Sequence, residues 1–238
     1  RRPLCIALTA GLAWGCTETQ QPVNPTFDIP TGLTIAGTET SRLFIVNTGL
    51  DAPQVMDLGA CLASLDPVEG SSYYFPLRIP GGPSPEEVAA SEDGRFIAIM
   101  NWVTEKLHII DADSLRRARY DEIPVELSVG PVGAKPYRIT SIPNGCGLIE
   151  GENCSGRFLV SLPGANAIGE VVLREELLGP VGEVRSIFAL DGQPGELIVS
   201  PNGQLAYASD LADPYIYRID LESGFTDKWD VGSRPGIL

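Results

Sequence analysis

From Pro30 onward the apolar residues fall into short runs that recur in a fixed order, each set led by a proline and broken by a turn dipeptide. Pro-Glu-Glu-Val-Ala-Ala-Ser-Glu-Asp-Gly at 85–94 lines up with Pro-Gly-Glu-Leu-Ile-Val-Ser-Pro-Asn-Gly at 194–203. Each continues into a second run, at 95–101 and 204–210, and then a third that ends in Asp111 or Asp220. The leading proline and that aspartate are 26 positions apart in both copies. A third copy opens at Pro136, with Asn144-Gly145 at its turn and a cysteine-bounded insert just beyond. A weaker first copy opens at Pro30, and Pro235 begins a fifth, so successive spacings are 55, 51, 58 and 41 residues. Self-similarity at such a period is the mark of a repeat architecture.

Each copy predicts a four-stranded antiparallel unit. The run before the turn is the innermost strand, the run after it the second, and the aspartate-terminated run the third. Asp93-Gly94, Asn144-Gly145 and Asn202-Gly203 suit a tight hairpin whose two central residues both need positive φ. A fourth, outer strand is expected at 73–79, 125–129, 186–190 and 228–231. Sheets of this kind bury both faces when they are set radially, which gives an all-β β-propeller with about four blades present, starting near 30, 85, 136 and 194. The one helical stretch, at 112–119, is brief.

Composition sharpens this reading. Gly 26 and Pro 20 in 238 residues supply the many turns of short strands. Lys+Arg 17 against Asp+Glu 31 gives a net charge of −14, which argues against a nucleic-acid partner, since phosphate binding is carried by Lys and Arg. With His108 as the sole histidine, sites needing two are excluded within this chain.

The first fifteen residues predict a signal peptide: Arg1 and Arg2, then an uncharged and mostly apolar run to Gly15, too short to span a bilayer. Leu-Ala-Trp-Gly-Cys at 12–16 resembles the lipobox of bacterial lipoproteins, with Trp14 where a smaller residue is usual. The resemblance implies lipidation of Cys16 and a polar tether at 16–26, which leaves 27–238 for the propeller repeats. It also implies a protein exported and lipid-anchored to the bacterial envelope, periplasmic or at the cell surface. The alternative is an ordinary cleaved signal in which Cys16 is incidental. Cys146 and Cys154 bracket a Gly- and Glu-rich insert between two apparent strands, a natural disulfide in an oxidising compartment, whereas a metal pair there lacks partner ligands. Cys61 is left odd.

The repeats resemble the YVTN-type repeats of lactonase-like seven-bladed propellers. The eponymous segment corresponds to Phe-Ile-Val-Asn at 44–47, Ala-Ile-Met-Asn at 98–101, Phe-Leu-Val-Ser at 158–161 and Tyr-Ala-Ser-Asp at 207–210. The lead-in to Ser-x-Asp-Gly and the trailing Ile-Asp match as well. Seven blades in the family against four copies here imply a chain that continues beyond residue 238, and an open arc would leave blade faces uncovered.

Chemistry in such a fold is expected at the tunnel mouth. The position two after each repeat proline gives Gly32, Glu87, Arg138 and Glu196, and the strand-end position gives Asn47, Asn101, Ser161 and Asp210. No cofactor is expected. The resemblance allows an alternative in which these oxygens hold Ca²⁺ or a catalytic divalent ion, as in gluconolactonase-type propellers. Equivalent positions in every repeat favour a plainer role, with Asn and Asp bonding to turn backbone. Ser161 and Ser209 have no histidine and acid set with them, and no G-x-S-x-G elbow, Cys-x-x-Cys-His or phosphate loop occurs. The expected function is a membrane-tethered binding module for a protein or polysaccharide of the cell envelope. The alternative is a lactonase-like hydrolase with a divalent metal in the tunnel.

Overall fold

The computed structural model describes residues 30–39, 41–50, 53–58, 77–79, 81–114, 125–148, 153–176 and 179–235. The signal, the tether with Cys16, Cys61, most of the 112–119 stretch and residues 236–238 lie outside them.

Among the described residues sixteen strands form four antiparallel sheets of four, each a simple meander. Blade 1 comprises β1 (Pro30–Ala36), β2 (Arg42–Asn47), β3 (Gln54–Asp57) and β4 (Leu77–Arg78). Blade 2 comprises β5 (Pro85–Ala90), β6 (Phe96–Asn101), β7 (Lys106–Asp111) and β8 (Val125–Ser128). Blade 3 has β9 (Ile139–Ser141), β10 (Cys154–Leu162), β11 (Ala167–Glu176) and β12 (Gly179–Ala189); blade 4 has β13 (Pro194–Val199), β14 (Leu205–Asp210), β15 (Tyr215–Asp220) and β16 (Thr226–Asp230). The inner strands neighbour one another in chain order, β1 on β5, β5 on β9 and β9 on β13, so the sheets fan out radially as a partial β-propeller.

Among the described residues three hydrophobic clusters pack in the seams between blades. On β6, Ile97 and Ile99 turn to blade 1 and join Phe44, Val46, Val55 and Val88, while Phe96, Ala98 and Met100 turn to blade 3 and join Phe158, Val160 and Leu162. This is why β6 reads as an unbroken apolar run: a strand covered on both faces has no polar side to alternate with. The third core joins Leu159 and Ile168 of blade 3 to Ala206, Ala208, Tyr217 and Ile219 of blade 4. The outer faces are open, with Leu33 and Ile35 on blade 1, and Ile198 and Trp229 on blade 4, all exposed.

Two details differ from the sequence expectation. The Asp-Gly and Asn-Gly turns are not two-residue hairpins: Gly94 (φ 72°) and Gly203 (φ 70°) are left-handed, but Asp93 and Asn202 are not. Ser91 N–H donates to Phe96 O at 2.8 Å and Ser200 N–H to Leu205 O at 2.8 Å, which closes four-residue loops. The cause is the serine, whose Oγ donates to Asp93 or Asn202 and accepts from the N–H of Phe96 or Leu205, stabilising the wider turn. The second difference is β12, which begins at Gly179 rather than near 186. Gly179, Pro180 and Gly182 suggest a turn, yet β12 is the outermost strand, where a proline costs no ladder bond.

Candidate functional site

At the start of each inner strand the ladder is interrupted. Register shifts fall between Pro30 and Gly32, Pro85 and Glu87, and Pro194 and Leu197, so the residue two after the proline sits in a bulge. Bulges re-aim a side chain out of the sheet alternation. In blades 3 and 4 a serine of the second strand stands in for the missing ladder bond: Ser161 Oγ accepts from Arg138 N–H, and Ser209 Oγ from Glu196 N–H, both at 3.0 Å. The serines singled out in the sequence thus hold the backbone of the residue two after the proline.

The bulged residues converge. Arg138 Nε donates to Glu196 Oε1 at 2.9 Å, and its Nη1 lies 3.3 Å from Glu87 Oε2, so one guanidinium joins blades 2, 3 and 4. Tyr137 carries the guanidinium at 4.5 Å above its ring. Gly32 completes the row from blade 1; a Cβ there would lie 2.6 Å from Glu87 Oε1, so the glutamate leans over space that only glycine leaves. Burial pushes the Glu87 carboxyl above its usual range, Arg138 pulls it down, and burial prevails.

Asn101 serves the connection that leads into β5, and Asp210 serves the loop that follows it. Asn101 Nδ2 donates to Gly81 O at 2.7 Å. Asp210 Oδ1 accepts from the N–H groups of Ala212 and Asp213, and its Oδ2 accepts from Tyr217 O–H at 2.7 Å. Asp111 and Asp220 cap turns in the same manner. In blade 3 the strand-end position belongs to Leu162 rather than Ser161: Ser161 and Ser209 are equivalent by the bonds just described, and Asp210 follows Ser209. His108 is buried in β7.

The donor set does not suit a metal. Arg138 occupies the space between the Glu87 and Glu196 carboxylates, and among the described residues no three His, Cys, Asp or Glu side chains converge. Cys146 and Cys154 are joined in a disulfide, Cα atoms 5.3 Å apart.

A second polar assembly lies in the seam between blades 3 and 4, at the end of the sheets carrying the Asn-Gly turns. Arg157 Nε donates to Glu170 Oε1 at 2.8 Å and Nη2 at 2.5 Å, while Nη1 donates to Gly145 O at 2.8 Å. The two side chains are 5% and 2% exposed. They border a cavity of about 240 Å³, also lined by Leu148, Arg185, Ser186, Gln204, Leu221 and Glu222. Repeat spacing alone does not single out this pair. Its signal was an acid inside the apolar strand 170–173, in a place where blade 2 carries Ile109.

No family model matches the sequence, and no curated protein matches it. Solved structures do. Virginiamycin B lyase from Staphylococcus aureus is 16% identical with TM-score 0.58, covering 90% of this chain. A candidate 6-phosphogluconolactonase from Bacteroides fragilis is 14% identical with TM-score 0.57, covering 91%. The β-propeller domain of Cps50 from Myceliophteria thermophila is 13% identical with TM-score 0.57, covering 87%. This chain spans 56% to 59% of the length of these three. Such likeness defines the fold, a β-propeller, of which four blades lie among the described residues.

Proposed function

We propose that the protein is an exported, lipid-anchored β-propeller that works as a binding module, presenting its tunnel mouth to a protein or polysaccharide of the cell envelope. The observation that carries this reading is the Glu87–Arg138–Glu196 bridge, a fixed alternation of acceptors and donors supplied by three blades. Binding surfaces use such arrangements to set orientation and specificity. Catalysis would call for a nucleophile, base or metal at the same point, and both mouth carboxylates are instead engaged by arginine. The lactonase alternative therefore rests on fold likeness alone.

The test pairs two assays on the full-length protein: co-sedimentation with purified sacculi and with envelope proteins, and hydrolysis of glucono-δ-lactone. Binding without turnover supports the proposal. Lactone turnover that disappears in E87Q overturns it.

A further inference from the structure

We propose that the cavity between blades 3 and 4 is a saccharide site that takes one pyranose ring, separate from the tunnel mouth. The first ground is asymmetry. Blade 1 also buries an arginine, Arg42, but it bonds the backbone carbonyls of Ala112 and Asp113, and the third-strand position opposite is the apolar Val55 in blade 1 and Ile109 in blade 2; only blade 3 places an acid there, Glu170, beside its arginine. A buried ion pair is seldom worth more to stability than the apolar pair it replaces, so this substitution asks for another reason. The cysteine-bounded insert beside it is likewise confined to blade 3, and the insert's Leu148 forms part of the cavity wall.

The second ground is the chemistry of the lining. Glu170 is an acceptor held rigid by two hydrogen bonds, and the Arg157 guanidinium is held by Glu170 and by the carbonyl of Gly145. At the rim Arg185 is exposed and makes no ion pair among the described residues; Ser186, Gln204 and Glu222 add a hydroxyl, an amide and a carboxylate. Two arginines and two glutamates cancel in charge, so the cavity favours a neutral ligand rich in paired donors and acceptors over an ion. Vicinal hydroxyls match planar carboxylate, guanidinium and amide groups two bonds at a time. Leu148 and Leu221 offer apolar surface to the C–H face of a ring. At about 240 Å³ the space suits a single sugar unit rather than a peptide segment. The walls are close-set: Asn144 Nδ2 donates to Pro201 O at 3.4 Å, and a Cβ on Gly203 would lie 2.0 Å from Pro143 O.

The experiment is a titration of the full chain, followed by amide chemical shifts, with glucose, galactose, N-acetylglucosamine and glucuronate added singly. At least one neutral sugar should shift Ser186, Gly203 and Gln204 and saturate with a roughly millimolar Kd, as befits a ligand of few atoms. The rim variants R185A and Q204A, which leave the buried pair intact, should each weaken that binding about tenfold, the effect of losing a hydrogen bond to a charged or well-fixed group. The mouth variant E87Q should leave it unchanged, which keeps this site distinct from the proposed function. No shift with any sugar, a response to glucuronate alone, or shifts indifferent to R185A and Q204A would overturn the proposal.

Discussion

Arg138 Nε and Glu196 Oε1 are 2.9 Å apart although the residues stand 58 positions apart in the chain, one on the inner edge of blade 3 and one on blade 4. Each belongs to a bulge that follows a repeat proline, and each has its amide pinned by a serine hydroxyl of the neighbouring strand. Removing the arginine leaves two half-buried carboxylates facing each other. R138A should therefore cost about 1–2 kcal/mol, more than an exposed pair and less than a fully buried one. Urea unfolding of wild type and variant measures it.

Glu87 carries a pH signature of definite sign. Burial, only partly offset by Arg138, holds its carboxyl above the ordinary 4.5. Between that value and the raised one, the folded state keeps a proton that the unfolded state has released, so wild type loses stability as pH rises through this window. E87Q lacks the group and should lack that loss. Urea midpoints taken from about pH 4 to about pH 7 should show wild type declining relative to E87Q.

The Cys146–Cys154 disulfide closes a loop of sequence separation 8. Loop-closure entropy for so short a ring gives about 2.5 kcal/mol. The double variant C146A/C154A should lose roughly that much by urea unfolding and become easier to cleave within the insert.

Gly203 tests the seam between blades 3 and 4. Its φ is 70°, and a Cβ would meet the Pro143 carbonyl oxygen at 2.0 Å. G203A should cost about 2–4 kcal/mol from left-handed strain and overpacking together. Gly133, which is left-handed with open space around it, is the control: G133A should show the strain alone, about 1–2 kcal/mol.

Lipidation is tested independently of the fold. If Cys16 is acylated, the mature wild type carries the mass of a diacylglycerol that Cys16→Ala lacks; an unmodified wild type contradicts the anchor.

The repeats made the architecture readable because each blade restates the same physical problem: a proline-led inner strand, a serine-anchored turn and two faces to bury. Counting from each proline also picks out Glu87, Arg138 and Glu196, three side chains that the fold brings together, since a register shift follows the proline in blades 1, 2 and 4. Blade 3 slipped by one, with Ser161 set where Leu162 belongs, because the cysteine insert separates its turn from its second strand and removes the anchor for counting. The Arg157–Glu170 pair was not legible for a different reason. Its members are 13 residues apart on adjacent strands, and only the pairing of β10 with β11 shows that both face the same seam. That the mouth carboxylates are bridged by arginine, which is what weakens the metal reading, depended on side-chain distances that spacing does not give.

The central claim is that the mouth formed by blades 2, 3 and 4 is where the partner binds. Its most direct measurement is the affinity of the full-length protein for the sacculi or envelope protein it retains, compared between wild type and the double variant E87Q/E196Q. The account predicts at least about a tenfold loss, the worth of one charge-assisted hydrogen bond, with the folded structure intact by circular dichroism. Unchanged affinity in the double variant would contradict it.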